Sequence, residues 1–191
     1  MNLAFRIGFP MIALLVLSSC SGGNGGEKEQ PVAESELKKM ADEDQAMRLD
    51  GNTDFQKEYE KDLEHRERVF SLLAEGKIST PEDMYYAALL LQHTPLTMCD
   101  GRMTSLSREN YLLANMLAKA SAGAGYGPAR RMVAMTIDRY LWYSGRPQKY
   151  GTNSRMDEKT GENTLEPLDS TTTDEERAKW DVEPLKVLKG G

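Results

Sequence analysis

The stretch SRENYLLANMLAKASAGAGYGPARRMVAMTIDRYLWYSG, residues 107–145, decides the fold. Leu112, Leu113, Met116, Leu117 and Ala120 share one broad helical face, Ser107 can cap its start, and the glycines of 123–127 end it. Pro128 opens a second helix through Met132, Met135, Ile137, Leu141 and Trp142, which Gly145 closes. Small residues Ala114, Ala118, Ala122, Gly125, Ala129 and Ala134 fall where the two helices would cross, so the segment reads as one tetratricopeptide-like antiparallel pair. A solenoid is not expected, because stacked repeats need about three or more units and only this pair is visible.

Working outward, Thr80-Pro81-Glu82-Asp83 supplies a cap, a first-turn proline and early acidic charge for a helix carrying Tyr85, Ala88, Leu89 and Gln92, which ends near His93. Before it, Thr53 with Gln56 forms a capping box, and Phe55, Tyr59, Leu63, Phe70 and Leu73 make an apolar face that runs to Gly76. Residues 31–49, with Leu37, Met40, Ala41 and Met47 among many charges, predict a weakly apolar edge helix. Thr172 or Thr173 caps a short last helix near Trp180. No run of strict alternation appears, so the expected class is all-α, a compact bundle of about five to six helices. Two long loops remain, 94–106 and 146–170.

Residues 1–19 read as a lipoprotein signal peptide: one positive charge, Arg6, then the apolar run 7–17, shorter than the about 20 residues that span a bilayer. Leu17-Ser18-Ser19-Cys20 resembles the bacterial lipobox, which makes Cys20 the lipidated first residue of the mature chain. Acyl chains, at about 0.8 kcal/mol per buried methylene, anchor a water-soluble domain stably when two or more are present. Residues 20–31, rich in glycine and polar side chains, form a flexible tether, and 32–191 the helical domain. No aspartate follows Cys20, which in bacterial lipoproteins points to the outer rather than the inner membrane of the cell envelope. With Cys20 acylated, Cys99 has no partner, so no disulfide is expected. The chain of 191 residues carries 24 basic against 30 acidic side chains, and loss of Arg6 makes the mature part more acidic still, which argues against nucleic acid as a partner.

The candidate site gathers Gln92-His93, Asp138-Arg139 and the stretch 145–152. Together with Asp44-Gln45 and Arg48, the motifs Gln92-His93, Asp138-Arg139-Tyr140-Leu141 and Gln148-Lys149-Tyr150-Gly151-Thr152 resemble an uncharacterised family of bacterial domains, over roughly residues 42–185. Its members share a Gln-His after a Tyr-x-x-Ala helix, a later Asp-Arg, and a Gln-x-aromatic-Gly-Thr-Gln loop. This chain departs at Asn153, where the pattern has Gln, and through 95–105. The resemblance implies no activity.

Asp138 and Arg139 point roughly 100° apart on a helix, so one of them is partly buried and needs a partner among His93, Gln92, Asp44, Arg48 or the 148–152 turn. In one reading they only pin that loop to the helices. In another, His93 is an acid or base oriented by Asp138, Arg139 clamps an anion, and Gln92, Gln148, Tyr150 and Thr152 complete the binding site. Two functions therefore compete: a lipid-anchored domain that binds an envelope component through its helical face or the Gln148 loop, and a hydrolase-like enzyme built on His93 and Asp138.

No cofactor or metal is expected. Asp50-Gly51-Asn52-Thr53-Asp54 starts like a calcium loop but continues with Phe55 and reaches Lys61 where the pattern needs Gly and Glu. The histidines and cysteines lack zinc-site spacing, and neither a Gly-x-Ser-x-Gly elbow nor a phosphate-cradling loop is present. His65, among Glu64, Arg66 and Glu67, reads as solvated, and Met103, Met116, Met132 and Met135 as core filling.

Overall fold

A computed structural model describes residues 35–49, 54–100, 102–156 and 159–188. The signal peptide, Cys20, the tether, the start of the first helix and Thr53 lie outside them. The helices are α1 Glu36–Leu49, α2 Phe55–Ala74, α3 Pro81–Gln92, α4 Glu109–Gly123, α5 Ala129–Tyr143, α6 Asp174–Lys179 and α7 Leu185–Leu188. The strands are β1 Leu96–Cys99, β2 Arg102–Ser105, β3 Ser154–Met156 and β4 Asn163–Leu165. The chain is thus mostly helical, and the all-α expectation is corrected by two small antiparallel hairpins, β1–β2 and β3–β4. No helix among the described residues is long and apolar enough to cross a membrane.

The first hairpin occupies the expected 94–106 loop. Leu96 pairs with Ser105 and Cys99 with Arg102, and Asp100, just past β1, has φ +50°. In the sequence Asp100-Gly101 is the residue pair that two-residue hairpin turns favour. All four β1 residues are exposed, so the strand lacks the apolar alternation by which strands are read.

The core lies among α2, α3, α4 and α5, where Val69, Ala87, Ala88, Leu91, Ala114, Ala118 and Val133 are buried. α4 packs about equally against α3 and α5. Its alanines let the backbones approach, and buried Asn115 locks the second contact by donating to the Val133 carbonyl at 2.7 Å and to Thr136 Oγ1 at 3.1 Å. At the other face, Ser121 Oγ donates to the Pro81 carbonyl at 2.5 Å, which ties the end of α4 to the start of α3.

Several helix ends match the sequence signals. Thr80 accepts from Asp83 N–H, Thr173 from Glu176 N–H, and Gly76 and Gly145 take positive φ just past α2 and α5. Two caps differ. Asp54 accepts from Lys57 N–H at the start of α2, and Ser107 does not cap α4 but bonds the Glu109 side chain.

The inward face of α2 is also rotated from the expected one. Asp62, His65, Val69 and Leu72 are buried, whereas Phe55 is 79% exposed. His65, expected on a solvated face, is therefore a buried residue with no hydrogen-bond partner at Nδ1, and burial pulls its pKa below the ordinary value against the pull of Asp44. The charged side chains flanking this stripe spread outward and leave the stripe itself to dock α2 on its neighbours.

Candidate functional site

The expected site divides into two clusters, each centred on a buried aspartate. Asp138, with no exposed surface, accepts four hydrogen bonds: from the backbone N–H of Lys149 at 2.7 Å, Tyr150 at 2.9 Å and Thr152 at 3.0 Å, and from Thr152 Oγ1 at 2.9 Å. Gln148, 1% exposed, holds the same loop from within. Its Nε2 donates to the carbonyls of Asn153 and Glu166, and its Oε1 accepts from Asn153 N–H. The fully buried Arg177 of α6 donates to the carbonyls of Tyr150 and Lys149. Gly151 has φ +80°, a conformation that favours glycine, and a Cβ there would also press on the end of the Leu188 side chain at 2.9 Å. Asp138, Gln148, Tyr150 and Thr152 therefore form a loop anchor whose polar atoms are turned on one another.

The second cluster forms where α3 stops. Pro95 cannot continue a helix and Thr94 Oγ1 donates to the Leu91 carbonyl at 2.7 Å, so His93 is left as the C-cap with its ring turned toward α1. There His93 Nδ1 lies 2.7 Å from Oδ2 of Asp44, a residue 1% exposed. Arg48, one turn on, reaches Asp44 Oδ1 at 3.2 Å and Glu58 at 3.7 Å, and bonds Asp62 closely. The His93–Asp138 pairing expected from the sequence is thus corrected to His93–Asp44. Asp138 already has its full complement of donors, and Asp44 faces His93 across the α1–α3 contact.

Burial alone would raise the Asp44 pKa, but the hydrogen bond and charge of His93, with Arg48, outweigh it and hold the carboxyl at about 2. Asp44 is therefore an ionised acceptor. Arg48 Nε also lies 3.1 Å from His93 Nδ1, and that nitrogen cannot both accept from Arg48 and donate to Asp44. The shorter contact to a carboxylate assigns the proton to Nδ1 and leaves Nε2 as a lone pair that no described residue bonds. Burial lowers the His93 pKa, and Arg48 and Arg139 add to this against the pull of Asp44, so the ring is neutral at pH 7. Asp62 moves the other way, pushed up to about 7 by burial and by the nearby Asp44 and Glu58 charges, with Arg48 opposing.

His93, Arg48, Asp62 and Arg139 line one cavity of about 350 Å³ bounded by α1, α2, the α3–β1 junction and α5. Phe55, Tyr59, Pro95 and Leu96 supply its apolar wall. Arg139 makes no ion pair among the described residues, and its buried Nε has no hydrogen-bond partner. Gln92 is 2% exposed, with Oε1 unpartnered, and does not line the cavity.

Of the expected site residues, then, His93 and Arg139 come together, while Asp138, Gln148, Tyr150 and Thr152 belong to the anchor. Sequence reading missed Asp62, Glu58 and Tyr59. Stepping back from Val69 by four and seven residues reaches His65 and Asp62, and that continuation of the buried stripe is the signal that could have found Asp62. Among the described residues no group of three His, Cys, Asp or Glu side chains is placed to hold a metal ion. No family model, curated protein or solved structure matches the chain.

Proposed function

We propose that this chain is a lipid-anchored helical domain that binds a small organic anion, free or borne by another envelope component, in the cavity between His93 and Arg139. The observation that carries the reading is Arg139: a half-buried guanidinium with no carboxylate partner among the described residues, whose buried Nε is unsatisfied, at the wall of a 350 Å³ cavity. A guanidinium in that state gains two aligned hydrogen bonds from a bound carboxylate. The apolar wall of Phe55, Tyr59, Pro95 and Leu96 suits a ligand body with aromatic or aliphatic carbon. The Gln148 loop, the other candidate contact surface, has its polar atoms occupied internally, which favours the cavity.

Export and acylation at Cys20 rest on the signal and lipobox, as does attachment to the cell envelope, at the outer membrane. The α4–α5 pair, with its alanine-lined crossing, supports a tetratricopeptide-like reading of the body, and the order of the Gln-His, Asp-Arg and Gln-x-aromatic-Gly-Thr motifs supports kinship with the uncharacterised bacterial family.

Acid–base catalysis is the second reading, favoured by the Asp44–His93 hydrogen bond and the open Nε2. No serine or cysteine lines the cavity, and the Thr94 hydroxyl is already committed to Leu91, so a hydrolase here would have to activate water directly.

Thermal unfolding of the full chain in detergent with benzoate, acetate or phosphate tests the binding reading. At least one anion raises the Tm of the wild type and fails to raise that of Arg139→Met. Equal shifts in both proteins, or none in either, would overturn it. Palmitate labelling that persists undiminished in Cys20→Ala would remove the anchor.

A further inference from the structure

We propose that anion capture in this cavity is coupled to proton uptake: as the anion binds, His93 takes one proton from solution at Nε2, and the occupied site holds an imidazolium between Asp44 and the bound anion. This rests on the anion-binding reading above and specifies how the site works.

The geometry forces the coupling. With Nδ1–H committed to Asp44 at 2.7 Å, the neutral ring keeps a lone pair on Nε2, and His93 is one of the residues that line the cavity. A carboxylate carries only acceptors, so a lone pair beside it repels it, and a proton on Nε2 turns that contact into a charge-assisted hydrogen bond. The charges around the ring favour the same outcome. From α1, Asp44 and Arg48 face His93; from α2, Glu58, Tyr59 and Asp62 line the cavity; from α5 comes Arg139; and Tyr111 of α4 stands within electrostatic reach of Asp62 and Arg139. Asp44, Glu58 and Asp62, the last only partly charged at neutral pH because it is pushed up to about 7, stand against two guanidiniums in the empty site. An added anion tips that cluster toward negative charge unless a proton enters.

In the empty site burial, with two arginines adding to it, holds His93 neutral against the pull of Asp44. A bound anion screens Arg139 and adds its own charge beside Nε2, which shifts that balance toward the protonated ring. Asp44, fully ionised and in contact, is placed to stabilise the imidazolium that results. The step balances simply: a proton leaves the buffer, the Nε2–H bond forms, and nothing is oxidised or reduced.

Isothermal titration of the detergent-solubilised full chain with benzoate, acetate and phosphate at pH 7.5, in two buffers of different ionisation heat, reads the protons taken up per anion bound. The wild type takes up close to one, and its affinity falls about tenfold per pH unit between the pKa of His93 in the empty site and its higher pKa in the complex. His93→Gln, whose amide can still donate to Asp44, binds more weakly and takes up none. Asp62→Asn keeps the uptake. Binding without uptake in the wild type overturns the proposal and spares the anion-binding reading. Unchanged uptake in His93→Gln, or its loss in Asp62→Asn, also overturns it by placing the proton elsewhere. Absence of binding by all three anions sinks both.

Discussion

Asp138 of α5 and Asp44 of α1 are both almost wholly buried carboxylates, and they do opposite things because of what donates to them. Asp138 is saturated by three backbone N–H groups and a hydroxyl from one loop, so nothing around it is left to meet a ligand. Asp44 is held by side chains from two helices, His93, Arg48 and Gln45, and those side chains have further edges. The His93 ring lines the cavity with its second nitrogen unbonded, beside Arg139, which makes no ion pair among the described residues. Backbone donors close a site, whereas side-chain donors relay it outward.

The largest expected effect separates the two aspartates by stability. Asp138→Ala orphans three backbone donors and should cost about 3–5 kcal/mol, a fall in Tm on the order of 10 °C in thermal unfolding. If that variant stays as stable as wild type yet loses anion binding, the roles assigned to the two carboxylates are reversed.

Arg139→Met should do the converse: Tm unchanged to within a few degrees, with anion affinity down by at least about tenfold by calorimetry, since a charged hydrogen bond is worth roughly 1.5–3 kcal/mol. A large loss of stability would instead make Arg139 a structural residue.

Acid titration sharpens the contrast further. Because folding depresses the Asp44 pKa from an ordinary 3.8 to about 2, its contribution is whole above pH 4 and lost as the pH falls toward 2. Asp44→Asn should therefore be less stable than wild type at pH 7, with the difference narrowing through that window. A constant difference from pH 6 to 2 would show that Asp44 is not ionised in the fold.

The smallest effect concerns Asp62. Its pKa is raised by folding, so the favourable contribution exists below about pH 4 and is lost as the pH rises toward 7. Relative to wild type, Asp62→Asn should gain stability between about pH 4 and pH 7. An unchanged difference in Tm across that range would show Asp62 to be ionised throughout by its bond with Arg48.

Much of the helical frame could be read directly. Thr80-Pro81, Thr173, Gly76 and Gly145 act through local backbone chemistry, and they end or begin helices where the residue types say they should. The departures have a common origin in packing between distant segments. Apolar side chains on α2 pointed to a face through Phe55, but the helix docks through Asp62, His65, Val69 and Leu72 because α1 and α3 offer Asp44, Arg48 and Leu91 to meet it. The first hairpin had a local sign in Asp100-Gly101 that short, exposed strands obscured.

The same division runs through the site. That Asp138 and Arg139 face different ways follows from helical periodicity alone, as does the need of the buried one for a partner. Which partner it took was not local: 148–152 folded onto Asp138, and His93 was left to Asp44, a residue 49 positions away. Residue types and their spacing set the helices, most of their ends and the polar inventory, because these depend on forces that act within a few residues. The choice of which carboxylate holds the histidine, and which guanidinium stays unpaired, was made by tertiary packing, since a hydrogen bond in a low-dielectric interior goes to whichever donor the folded backbone brings within 3 Å.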